Sequence, residues 1–220
     1  MSAIPSLPPQ PRIERRRSLV RAEFVDAARA VIDEHGVQGF SLELVGRRLG
    51  LRKQAVYHYF DSKESVLFEV GFEEMSRAAH AVAGAVEGTA SGADAVEALL
   101  RTYFAAFEGR TRLFQLSHTA QPTLDLGRFM TAERLARIRP LNDLLLKGVA
   151  ERVAHDRGPG ASADEARRFA FTAYTSVVGL LAMKALVESA ADPLRHADAA
   201  LIETLVSTYR RAVNPGKPRP

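Results

Sequence analysis

Residues 41–64, SLELVGRRLGLRKQAVYHYFDSKE, read as two short helices joined by a tight turn, with a further helix beginning at their end. Ser41 has the side chain of a helix N-cap, since its hydroxyl can accept from a free backbone N–H of the first turn. Leu42, Val45 and Leu49 then recur at helical spacing, and Gly50 breaks the pattern after about two turns. A second helix is predicted from Arg52 to about Phe60. Val56 and Phe60, four apart, would hold it to its scaffold together with Leu51. Asp61 is predicted to cap the following helix, with Glu64 three residues on completing a capping box.

Two short helices around a glycine-containing turn make a helix-turn-helix unit, whose second helix fits the major groove of DNA. The face left over by Val56 and Phe60 carries Arg52, Lys53, Gln54, Ala55, Tyr57, His58 and Tyr59. Arg52 and Lys53 can donate to guanine or phosphate, Gln54 can pair with adenine through two bonds, and Ala55 can touch a thymine methyl. Tyr57, Tyr59 and Lys63 suit phosphate oxygens, which set register rather than sequence. With Ser41 at the cap, these are the candidate DNA-contacting residues. An ordinary solvated helix face would have the same composition, and spacing alone does not separate the two.

Upstream, residues 1–11 hold four prolines and no helical period, and Arg12, Arg15, Arg16, Arg17 and Arg21 follow. Residues 1–17 are expected to form a flexible basic arm, either solvated or lying along phosphates. A helix over Ser18–His35 is predicted from Val20, Phe24, Ala27, Ala28, Val31 and Ile32, ended by Gly36. The unit from 18 to 64 is thus a three-helix domain.

Downstream the pattern stays helical. A fourth helix carries Val66, Leu67, Val70, Phe72 and Met75 to near Val86, a loop spans 87–92, and a fifth helix covers about Asp94–Glu108. A short sixth covers Thr111 to about Thr119, and Gln121–Leu126 is expected to be a loop. A seventh runs over about Gly127–His155, where Pro140 should kink or split it. Residues 157–162 form a linker. Ser162 and Glu165 open an eighth helix over about Ala163–Ser189. Asp192 and Pro193 open a ninth, to Val213, and 214–220 are expected to be a disordered tail. The expected fold is all-α, about nine helices, with residues 65–213 as a second domain. No strand period and no internal repeat stand out.

Composition restricts the function classes. The chain has 220 residues, 46% hydrophobic and 25% charged, as a globular protein does. It has no cysteine, which excludes disulfides and thiolate metal sites. The N-terminal prolines replace the apolar core that a signal peptide needs. The apolar run from Phe169 to Val187 contains Lys184, so a buried core helix is expected rather than a membrane span. A net charge of +4 permits a nucleic-acid partner without requiring one. No P-loop, G-x-G-x-x-G, G-x-S-x-G or H-E-x-x-H occurs, and acidic residues are spread along helix faces, so an enzyme is disfavoured. The six histidines are scattered; no metal and no cofactor are expected.

The stretch around the opening residues resembles the N-terminal signature of the TetR family of bacterial transcriptional regulators. The resemblance rests on Gly36, Gly39, Ser41, Val45, Leu49-Gly50-Leu51, Tyr57-His58-Tyr59-Phe60 and Ser62-Lys63-Glu64 leading to Leu67. Gly46 stands where the family usually has alanine, Arg52 where serine is common, and Gln54 where a small residue or proline is usual. These departures make the reading helix bulkier and more basic. The resemblance implies a cytoplasmic, nucleoid-associated homodimer that presents two reading helices to a palindromic operator. It also implies release when a small effector enters the second domain, as in a repressor. The dimer face would come from the last two helices, through Phe171, Tyr174, Val178, Leu181, Leu201, Leu205 and Tyr209. The effector pocket is expected between the fourth and eighth helices, walled by Tyr103, Phe104, Phe107, Phe114, His118, Met130 and Tyr174. Such a wall suits an apolar or aromatic ligand, although each residue alone also fits plain core. A non-specific architectural DNA binder is the main alternative, and an all-α enzyme a weaker one. Because Ser62-Lys63-Glu64 begin the fourth helix, a shift of that helix is the expected link between effector and DNA.

Overall fold

The computed structural model describes residues 12–118, 130–190 and 196–213. Among these residues there are helices and no strands. They are α1 (Arg12–Gly39), α2 (Leu42–Arg48), α3 (Lys53–Tyr57), α4 (Lys63–Glu87), α5 (Gly92–Phe107), α6 (Thr111–His118), α7 (Ala132–Arg157), α8 (Ala163–Ala190) and α9 (Asp198–Val213). The chain divides into two compact units, Met1–Val70 and Gly71–Pro220. The division falls inside α4, six residues past the boundary expected from sequence.

In the first unit, α1 begins at Arg12 rather than Ser18, because RIERRR contains no helix breaker. Gly36 interrupts it with φ 70° and ψ 174°, a conformation that glycine reaches without a Cβ penalty. Phe24, Val25, Ala28, Val31 and Ile32 bury one side of the helix. The Ser41 hydroxyl accepts from Leu44 N–H at 3.2 Å, as its cap role requires. The far end of α2 closes as a Schellman turn: Leu51 N–H donates to Gly46 O at 2.8 Å and Gly50 N–H to Arg47 O at 3.1 Å, with Gly50 at φ 68°.

That turn corrects one expectation. Leu51 does not anchor α3; it is 44% exposed. A Schellman turn normally packs the residue after the glycine against the one five earlier. Here that partner is Gly46, which has no side chain to offer. The scaffold contact is made by Val56 and Phe60, both buried. α3 is also shorter than predicted. It ends at Tyr57, and residues 58–60 tighten into a turn in which Tyr59 and Phe60 N–H both donate to Val56 O at 3.0 Å. The cap of α4 is Ser62, not Asp61. Its hydroxyl accepts from Ser65 N–H at 3.1 Å and meets the Ser65 hydroxyl at 3.2 Å, so the reciprocal pair is Ser62–Ser65 rather than Asp61–Glu64.

The second unit is built on α5, which packs against α7, α8 and α9. Ser91 caps α5 by accepting from Asp94 N–H at 3.1 Å. Its first residue, Gly92, lies against the α7 backbone, where a Cβ would come within 2.7 Å of Val153 Cα. α7 starts at Ala132, capped by the Thr131 hydroxyl on Arg134 N–H at 3.3 Å, and runs through Pro140 without a break. Of the two outcomes expected at Pro140, a kink or a split, the split does not occur. Proline removes one internal bond, and the turns on either side remain helical.

α8 is capped by Ser162, which accepts from Glu165 N–H at 3.4 Å. Ala166, Ala170, Ala173, Val177, Leu181 and Ala185 form its buried side. Its other side is not core: Phe171, Met183 and Leu186 are 53%, 54% and 60% exposed. The helix is long and apolar enough to cross a membrane by composition, yet only 28% of that window is buried. The expected buried core helix is thus buried along one side only. α9 begins at Asp198; His196 and Ala197 are not helical, so its described start is later than Pro193. The predicted arm at 1–11, the loop at 121–126, the Asp192-Pro193 start and the tail at 214–220 lie outside the described residues.

Candidate functional site

α3 rests on its buried Val56 and on Phe60 just past its end, and this decides what the rest of the helix presents. Arg52, Gln54, Tyr57 and His58 are exposed, and Ala55 is half-buried. The side chain of Lys53 lies outside the described ones. Tyr59 was expected on the same outward face, but it is half-buried, its ring 5.1 Å from that of Phe24. The shortened helix turns it inward. Lys63 is half-buried, with Nζ 5.7 Å above the Phe40 ring.

Two arginines of this unit, Arg48 and Arg21, are braces inside it. Arg48 forks onto Glu34 at 2.7 and 2.9 Å, joining α2 to α1. That pairing holds the Glu34 carboxyl below, and the Arg48 guanidinium above, their ordinary values. Arg21 donates to Glu69 at 2.9 Å and to the Tyr59 carbonyl at 3.4 Å, and lies 4.5 Å from the Phe60 ring centre. Arginine spacing alone gives no sign of these partners.

In the second unit, five of the seven predicted pocket residues form one cluster. Phe114 and His118, four apart on α6, stack with ring centres 4.6 Å apart. Phe107 of α5 meets both edge-on, at 5.5 and 5.1 Å. Tyr103 lies 5.5 Å from Phe107 and meets Tyr174 of α8 edge-on at 5.1 Å. The Tyr103 hydroxyl is hydrogen-bonded to His118 Nε2 and lies 3.3 Å from the Tyr174 hydroxyl. His118 Nδ1 is 3.2 Å from the Phe114 carbonyl. Burial pushes the imidazole down to about 4 and both phenols up.

Phe104 and Met130 stand apart from those rings. Phe104 follows Tyr103 by one residue, about 100° around the helix, and has Lys184 Nζ 5.6 Å above its ring. Met130 is half-buried just ahead of α7. A separate open cleft of about 500 Å³ borders α4 and α7, lined by Val86, Leu144, Leu145 and Gly148 with Asp143 and Lys147 among its charged residues.

Sequence reasoning passed over Glu74. It is 1% exposed and sits on the stripe Leu67, Gly71, Glu74, Ala78 that α4 otherwise buries with apolar or small residues. Arg110, between α5 and α6, meets it at 2.8 and 3.0 Å, and Arg77 forms an ion pair from the same helix. A carboxylate at an apolar stripe position, with arginine three residues on, is the signal that was available.

The sequence pattern of the bacterial regulatory proteins of the tetR family matches residues 24–70, the span of the reading unit. The HTH-type transcriptional regulator BetI of Rhizobium meliloti is 26% identical over 200 residues, covering 90% of this chain and 92% of that one. The HTH-type transcriptional repressor AcnR of Corynebacterium diphtheriae is 32% identical over 66 residues, 30% of this chain and 35% of that one. Residues 24–70 therefore carry the N-terminal pattern of the TetR family. The fold agrees over nearly the whole length: the regulator FadR from Bacillus subtilis, solved with stearoyl-CoA, superposes with a TM-score of 0.64. That likeness covers 86% of this chain and 97% of that one at 16% identity. The relatives that it matches are transcriptional regulators rather than enzymes.

Proposed function

We propose that the protein is a repressor that binds a palindromic operator as a homodimer and leaves it when a small apolar or aromatic effector enters the second unit. The observation that carries the reading is the outward set Arg52, Gln54, Tyr57 and His58 around α3, held by buried Val56 and Phe60. A helix fixed from one side and polar on the other suits the major groove. Ser41 and Lys63, at the ends of the unit, serve phosphate contacts together with Tyr57. Lys53, by position, belongs to the base-reading set. Tyr59 supports α3 against Phe24 instead of reading DNA.

The effector site is the ring cluster of Tyr103, Phe107, Phe114, His118 and Tyr174. The dimer face is the exposed side of α8. Phe171 belongs to it, and Met183 and Leu186 extend it at helical spacing. Leu181 leaves the set because it is buried in the unit's own core. Tyr209 leaves it too, since its hydroxyl is 2.7 Å from Ser176 and its ring 5.5 Å from Phe169. Helix α4 contributes residues to both units, and its displacement is the coupling step. The site of action is the bacterial cytoplasm, at the chromosome.

Footprinting on genomic fragments enriched by the protein tests the reading. A protected two-fold site supports it, with the half-sites spaced for two reading helices. Uniform, salt-sensitive retention with no footprint would instead identify a non-specific binder.

A further inference from the structure

The hydroxyl and imidazole groups inside the ring cluster have their protons assigned by geometry. His118 Nδ1 faces the Phe114 carbonyl at 3.2 Å, and a carbonyl can only accept. Nδ1 therefore carries the hydrogen, and in the neutral ring Nε2 is an acceptor. The Tyr103 hydroxyl must then donate to Nε2. Its oxygen is left to accept from Tyr174, 3.3 Å away. The order is Tyr174 to Tyr103 to His118 to a backbone carbonyl.

The chain has one loose end. A distance of 3.3 Å is long for an O–H···O bond, which prefers about 2.7–2.8 Å. Tyr103 is buried, whereas Tyr174 and His118 are half-buried, so the cluster's accessible edge is where the proton is most weakly held. The Tyr174 hydroxyl can turn to another group at little cost, either donating to it or accepting from it.

No member of the cluster is charged. The phenols are held neutral, and the imidazole is neutral down to about pH 4. Lys184 is on the same helix as Tyr174, but it is paired with Asp198 at 2.6 Å. A buried anion without a cation is costly, and the ring faces repel it further. A cation would favour open ring faces. Here the rings cover one another, with edge-on pairs at 89°, 85° and 74° and a stack at 11°.

We infer that this cluster selects an uncharged effector with an apolar or aromatic body and one hydroxyl or carbonyl group, and that Tyr174 is the residue that reads that group. The inference rests on the proposed role of the cluster as the effector site.

The test uses the full chain at pH 7.5 and two matched probe series. One is 2-naphthol, 2-naphthoate and a naphthyl trimethylammonium; the other is decanol, decanoate and decyl trimethylammonium. Isothermal titration calorimetry should show a neutral member binding at least tenfold more tightly than both charged members of its series. Tyr174→Phe should weaken that binding about five- to tenfold without lowering the thermal unfolding midpoint, and Tyr209→Phe should leave it unchanged. Failure of every neutral probe to bind at millimolar concentration overturns the inference. So does a charged member that binds as well as the neutral one, or a Tyr174→Phe variant with unchanged affinity. If a charged probe wins yet Phe107→Ala and Tyr174→Phe still weaken it, the site stands and the ligand class falls. If neither substitution alters the affinity of any probe that binds, the effector-site reading falls as well.

Discussion

Arg21 lays its guanidinium 4.5 Å from the centre of the Phe60 ring, joining α1 to the turn that ends the reading helix. The same group reaches Glu69 at 2.9 Å and the Tyr59 carbonyl at 3.4 Å. It therefore ties the start of α4 and the end of α3 to one side chain. Arg21→Ala should lower the stability of the reading unit by about 1 kcal/mol, the size expected of an exposed pair with a cation–π contact. Arg21→Lys should recover only part, because an ammonium lacks the planar fork. Urea denaturation of the three proteins measures this directly.

The outward residues of α3 divide by role. Gln54→Ala should relax preference at one base pair by about 1–3 kcal/mol, while Tyr57→Ala should weaken all sequences alike. Competition binding against operator variants, each changed at one base pair, separates the two outcomes. An unchanged preference in Gln54→Ala would mean that α3 enters the groove in another orientation.

Gly92 permits a close backbone approach between α5 and α7. An alanine Cβ there would lie 2.7 Å from Val153 Cα and 2.9 Å from the Arg152 carbonyl, and neither backbone atom can swing away. The Gly92 N–H also donates to Asp156 at 2.8 Å. Gly92→Ala should push α5 from α7 and cost about 1–3 kcal/mol, as overpacking does. The drop should be seen in chemical denaturation, with the midpoint falling and the slope unchanged.

Glu74 is buried, and Arg110 meets both of its oxygens. Removing the arginine takes away the fork and leaves the ion pair with Arg77. Arg110→Ala should cost about 3 kcal/mol, near the lower end for a broken buried pair. The double change Glu74→Met with Arg110→Leu should restore most of that loss, since an apolar pair avoids the desolvation cost. A thermal unfolding series of wild type, single and double variants tests both statements.

His118 makes stability depend on pH. Burial lowers its value from 6.5 in the unfolded chain to about 4 in the folded one. Between those limits the unfolded state binds a proton that the folded state refuses, so falling pH favours unfolding. The contribution is fully present above pH 6.5 and is lost as pH falls towards 4, on the order of 3 kcal/mol in all. Stability measured at pH 7.5, 6, 5 and 4 should fall less steeply for His118→Asn than for wild type. Parallel curves would mean that the imidazole is not held neutral by its burial.

Much of this architecture can be read from local pattern. Ser41 and Ser162 cap their helices through bonds three residues long, and Gly36 and Gly50 take backbone angles that a glycine marks in advance. Apolar spacing identifies Val56 and Phe60 as the hidden side of the reading segment, because a helix turns 100° per residue whatever surrounds it. Misreadings arise where a neighbour outside the window decides. Leu51 is exposed because Gly46 offers it nothing, and α3 ends early because the turn after it tightens on Val56. Leu181 and Phe171 look alike in sequence, yet one enters the core and the other faces outward.

By itself, the sequence determines the run of helices, the caps at Ser41 and Ser162, most of the polar face of α3 and the likeness of residues 24–70 to the TetR family, since each depends on residues a few positions apart. Tertiary structure alone decides which charges are braces and which aromatics share a site. Arg21 meets Glu69, Glu74 meets Arg110, and Tyr103 meets both His118 and Tyr174 only after the helices pack. Periodicity says which side of a helix is buried. It carries no information about which distant side chain will lie against it.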